Sequence, residues 1–247
     1  MKLESVPEAL SRLDGWVNSL ANMLPRPVRA DVITGGFVWR FEKEGLEVLL
    51  LAKVVRISSA LGAAWELANL GYTTESSALL RLVDDFAEEI RFMAEARIEG
   101  RETKAQTDFR EQFFREPPRT PDEFLEQENK HYVSRREMKK ASKRLAEKAG
   151  QDGGLLDRTS SFISYGLNQY IHGTYGSAMD LYHGRLHRFM VRGLDGQPKT
   201  NTLAFVGSKA TGVLHAVELV AILYGASVVA TEIRSFLMEA DPDLPRS

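Results

Sequence analysis

The chain has no cysteine, which excludes disulfides, thiolate zinc sites and cysteine nucleophiles. It also lacks a phosphate-binding loop, a Rossmann glycine pattern, a Gly-x-Ser-x-Gly elbow, a kinase signature and a zincin His-Glu-x-x-His. No alternating apolar–polar run is long enough to promise a sheet, and there is no internal repeat or low-complexity segment. Charge of one sign is missing too. A formal net charge of −2 argues against a whole-surface polyanion binder and leaves room for a local basic patch.

A long apolar run is nearly absent. The best candidate is Ala210–Ala230, but His215 and Glu218 sit inside it. An ionised glutamate near mid-bilayer is costly, so a buried core helix is the expectation and no membrane is expected as a partner. The first residues, MKLESVPEALSRLDGW, carry early acids and no apolar signal core. The expected location is cytoplasmic.

What remains is helical periodicity in 247 residues of ordinary composition, 43% apolar and 27% charged. Val6 to Leu24 is amphipathic and stops at Pro25 and Pro27; a short hairpin around Phe37–Phe41 is an open option. From Leu46 to Leu70 the residues Leu50, Val54, Ile57, Leu61, Trp65 and Ala68 share one stripe, and Gly71 ends the helix as a left-handed cap. Thr73 or Thr74 is expected to cap a second helix running to about Ile98, with Leu79, Leu82, Phe86, Ile90 and Met93 on its apolar face. So short a connector implies an antiparallel hairpin.

Residues 99–150 are heavily charged. Thr120–Glu123 and Ser134–Glu137 read as capping boxes, opening an acidic helix and then a basic one. The basic helix, Ser134–Gly150, carries Arg135, Arg136, Lys139, Lys140, Lys143 and Arg144 around a thin seam of Met138, Ala141 and Leu145. It contains no aromatic residue, which speaks against a stacking platform on this helix alone, and its acidic neighbour is the expected partner. Helix is expected again over Leu155–Arg192 and, after a turn at Gly193–Pro198, over Leu203–Glu239. The expected fold is an all-α helical bundle built on the long antiparallel hairpin. Residues 1–45 form an N-terminal helix and connector. Residues 46–247 form the bundle domain, with 99–150 as a charged insertion.

The candidate site lies in Arg158–Arg188, which holds three of the five histidines and four of the seven tyrosines. On a continuous helix His172 and His183 differ by only about 20° in phase, with Asn168 and His187 near the same stripe. Histidine suits proton transfer near neutral pH; the competing reading is a set of satisfied packing residues. A divalent metal is an alternative cofactor, through Asp180, His183, His187, His215 and Glu218, although no pair of Glu-x-x-His motifs exists. The acidic residues Asp84, Asp85, Glu88 and Glu89 are expected on a solvated face with local pairs such as Arg81–Asp85.

Two passages, VVRISSALGAAWELANLGYTTESSALLRLVDDFAEEIRFM and YGLNQYIHGTYGSAMDLY, resemble the HEPN superfamily (higher eukaryotes and prokaryotes nucleotide-binding) of helical bacterial proteins. The resemblance implies a helical bundle, frequent homodimers, and RNA or nucleotide binding, sometimes with metal-independent RNA cleavage in toxin or phage-defence settings. The family's catalytic signature separates an arginine from a histidine by four to six residues. His172 has Tyr165, Gly166 and Leu167 there, and His183, His187 and His215 also lack the arginine. The resemblance thus points to His172, Asn168 and Tyr175 as the site's centre, with Arg158, Arg81 and Tyr165 contacting the ligand and with cleavage unsupported. No cofactor is expected on this reading. A metal-dependent enzyme and a non-catalytic interaction protein are the alternatives.

Overall fold

The structure, a computed structural model, describes residues 1–31, 36–115 and 133–241. It is an all-α helical bundle with two short strand pairs. A long hairpin is its spine: α2 (Leu46–Asn69) and α3 (Thr73–Glu99) pack together over much of their length. The turn rests on Gly71 at φ +83°, a left-handed position that favours glycine. Leu194 donates its backbone N–H to the Gly71 carbonyl at 2.8 Å.

Around this hairpin pack α1 (Val6–Ala21), α8 (Gln197–Leu223) and α9 (Ser227–Ala240). Leu13, Leu20, Leu50, Ile57, Leu61, Leu80, Ile90, Leu214 and Ile233 are buried in one core cluster, so α1 shares its core with the hairpin. Trp16 of α1 meets Phe236 of α9 edge to face at 6.1 Å and donates its indole N–H to Glu232. The possible hairpin near Phe37 is present, with β1 (Val28–Asp31) pairing antiparallel to β2 (Phe37–Arg40).

Helix α3 is central, and its two sides differ. One packs apolar groups against α2 and α8. The other carries Arg81, Glu88 and Glu95, 3%, 2% and 5% exposed at a spacing of seven residues. Covering that side are α5 (Arg135–Lys148) and α6 (Gly153–Ile171). They dock largely through polar contacts: Arg144 to Glu95 at 2.5 Å, Ser160 to Glu88 at 3.1 Å, and Arg91 to Ser142 at 3.1 Å. Helix α4 (Lys104–Phe114), which touches α2 and α3, begins at a capping box, Thr103-x-x-Gln106.

Several expectations are corrected. The acidic stripe of α3 is not a solvated face. Asp84 pairs with Lys209 and Glu89 with Lys53, while Asp85 takes both Arg81 and Arg135; the local Arg81–Asp85 pair is present. Helix over Leu155–Arg192 is interrupted: α6 ends at Ile171, Gly173 turns left-handed at φ +57°, and Thr174 caps the short α7 (Tyr175–Met179). A small hairpin of β3 (Tyr182–His183) and β4 (Arg188–Phe189) follows. The last helix divides as well, because Gly225 at φ +73° closes α8 and lets α9 fold back on it. The proposed acidic helix and its Thr120–Glu123 box lie outside the described residues.

Candidate functional site: a cationic cleft

Between α3, α5 and α6 lies a cleft of about 620 Å³, within the range of ligand sites. Its α5 wall is the basic helix. Arg135, Arg136, Lys139, Lys140 and Lys143 all face it, with Arg81 of α3 behind them. Ser134 caps this helix by accepting from the Glu137 N–H, and Met138, Ala141 and Ala146 are its buried seam. The helix is so rich in cations that burying one side leaves the rest pointing into the opening. Its acidic partners here come from α3: Arg144 binds Glu95, and Lys148 binds Glu99.

The α6 wall contributes Asp157, Ser161, Ser164, Tyr165 and Asn168. Their spacing of three and four residues puts them on one side of the helix. Asp157 is the single acid on this lining beside six cations; Arg81 and Arg135 share Asp85 and Lys140 pairs with Glu137, and the balance that remains is positive, so the cleft favours an anion.

Arg81 is held in place from two sides. Its Nε donates to Asn168 Oδ1 at 2.7 Å, and its terminal nitrogen pairs with Asp85, which also binds Arg135. Burial lowers the Arg81 pKa, opposed by the charges of Glu88 and Asp84; a guanidinium stays protonated all the same. Lys139 reaches across to donate to the Ser161 hydroxyl at 2.9 Å. Ser164 is 5% exposed and its hydroxyl has no hydrogen-bond partner among the described residues. A buried hydroxyl left open costs stability, and this one lines the cleft.

Three of the six residues expected at the site therefore gather here: Arg81, Asn168 and Tyr165. The other three do not line the cleft. His172 is an exposed residue capping the C-terminus of α6, Tyr175 is 82% exposed at the start of α7, and Arg158 lies on the outer side of α6. The lining holds no histidine.

The residues considered for a metal fall into separate places. Asp180 accepts from the Tyr170 hydroxyl at 3.2 Å, whereas His183 ends β3 and His187 sits in the β3–β4 turn. His215 and Glu218 lie on α8. Among the described residues no three His, Asp or Glu side chains come together to hold an ion.

Glu218 has another role. It is 8% exposed, 3.4 Å from His215 and 2.8 Å from the Arg234 Nε that donates to it. The bond to His215 holds its carboxyl below the usual carboxylate range, against burial and with help from Arg234. A depressed folded pKa gives stability that is full above the unfolded value and fades as pH falls through the folded one. Glu218→Gln is expected to cost about 1–2 kcal/mol at neutral pH, with the gap to wild type closing on acidification below about pH 4. Urea melts across pH check this; a gap unchanged by acid contradicts it. Among the described residues two helices, α2 and α8, are long and apolar enough to cross a membrane, with 44% and 56% of their apolar windows buried in the bundle.

Sequence reasoning named the basic helix and the α6 residues separately and missed that they face each other. Compared with protein-family models, curated proteins and solved structures, the chain finds no match in any of the three.

Proposed function

We propose that this chain is a HEPN-like helical protein that binds RNA or a nucleotide in the cationic cleft, without the proton-transfer chemistry of a ribonuclease. The observation that carries the reading is the convergence of six cations from two helices on one opening. Phosphate is the anion such a site suits: arginine forks and lysine point charges both recognise it. Arg81, fixed by Asn168 and Asp85, supplies a cation whose position is set before the ligand arrives. A toxin or phage-defence setting belongs to this proposal through the resemblance alone.

The test is fluorescence anisotropy with a labelled uridine oligomer and a labelled nucleoside triphosphate over a range of salt. Binding to at least one probe is expected, weakening with salt by about 0.7 in log–log slope for each phosphate held. A protein that binds neither probe, or binds with no dependence on salt, removes the proposal.

A further inference from the structure

Resting on that reading, we infer that the cleft's ligand is a single strand of nucleic acid rather than a lone nucleotide, with successive bases stacked on Tyr165 and Phe162. The basic helix has no aromatic residue of its own; they stand across the cleft on α6. Tyr165 lines the opening yet is 72% exposed, and Phe162, three residues earlier, is 80% exposed. Side chains three apart on a helix are neighbours. At about 100° per residue, Phe162 lies some 60° further round from the cleft than Tyr165. Arg158 falls between them in phase and is exposed as well. The order outward from the cleft is therefore cations, tyrosine, arginine, phenylalanine.

That order is a track. Base–aromatic stacking accepts any base, and a cationic groove beside it follows the backbone. On the α5 wall, Arg136, Lys140 and Lys143 occupy successive turns over about 10 Å of helix. A row of that length serves more than one phosphate of the same strand, whereas a nucleotide brings one base and one phosphate cluster. A duplex keeps its bases stacked on each other and cannot use the aromatics. Among the described residues Phe162 and Tyr165 leave most of their surface open, and stacking would cover it.

The experiment compares a uridine octamer, the same length of RNA as a duplex, and uridine triphosphate, on wild type, Tyr165→Ala, Tyr165→Phe, Phe162→Ala and Arg136→Glu/Lys140→Glu. The octamer is expected to bind more tightly than either other probe. Tyr165→Ala and Phe162→Ala each weaken it about tenfold, and Tyr165→Phe retains it. Both alanine sites are exposed, so thermal melts should match wild type. If the alanine variants bind the octamer as wild type does while the double charge reversal abolishes binding, strand stacking is overturned and the phosphate cleft stands. If triphosphate binds as tightly as the octamer, the strand is overturned in the same way. If the charge reversal changes nothing, the cleft reading fails and the strand with it.

Discussion

The Arg136→Glu/Lys140→Glu protein is expected to bind the uridine oligomer about a hundredfold more weakly than wild type at moderate salt. Both residues face the cleft and both are exposed. Lys140 pairs with Glu137 one helical turn away, an exposed contact of small value. The substitutions thus remove two cations and add two anions beside Asp157 while leaving the packing of α5 intact. Met138, Ala141 and Ala146 still bury their seam, and Arg144 still binds Glu95. Stability should change by less than about 1 kcal/mol, which a urea melt checks. The salt dependence of whatever binding remains should flatten, because fewer phosphates are neutralised. A loss of binding that comes with a loss of fold would say nothing of the cleft, so affinity and melt are read on one preparation.

Gly71→Ala is expected to destabilise the protein by about 3 kcal/mol, a fall in melting temperature of roughly 6–12 °C for a chain of this size. Two costs add. The residue sits at φ +83°, and a Cβ there would meet the Leu194 backbone, with its nitrogen 2.8 Å away. Neither side can yield cheaply, since Leu194 donates to the Gly71 carbonyl and Gly193, at φ +100°, lies so close to the turn that a Cβ added there would also meet the Leu70 carbonyl. This contact pins the segment after the small hairpin onto the α2–α3 turn. Gly62→Ala is the contrast: it lies within α2, nothing stands within 4 Å of the added carbon, and alanine there should stabilise by up to about 1 kcal/mol. A Gly71→Ala protein as stable as wild type would contradict the account of the turn.

The α2–α3 hairpin was legible in the sequence because its information is local. Leu50, Val54, Ile57 and Leu61 repeat at helical spacing and are buried, and Gly71 ends the run where the turn is. Helix ends were less legible. Gly173 and Gly225 both break helices at positive φ, yet Gly62 and Gly212 sit inside helices with open space around them, and composition does not separate the two uses. The stripe joining His172 to His183 failed for that reason. The Thr103-x-x-Gln106 cap of α4 was there to be read and is as plain as the one at Ser134.

The cleft was half legible. Asn168 and Tyr165 stood out as polar groups among apolar neighbours, Arg81 entered through the family resemblance, and the basic helix stood out by charge. Their meeting depends on α5 and α6 docking onto the charged side of α3, through pairs such as Arg144–Glu95 and Ser160–Glu88. Such pairs leave no periodic apolar signal. The acids Asp84, Asp85, Glu88 and Glu89 look like a solvated face for the same reason: sequence shows the charge and hides the partner, which here comes from α2, α5, α6 or α8.

Whether a nucleic-acid strand lies in the cleft between α5 and α6 is decided by photo-crosslinking a 4-thiouridine oligomer to the protein and mapping the marked peptides by mass. The account predicts crosslinks on Tyr165 and Phe162 and on the peptide spanning residues 135–143. Crosslinks confined to the β3–β4 hairpin or to α8 and α9, with the cleft unmarked, would contradict it.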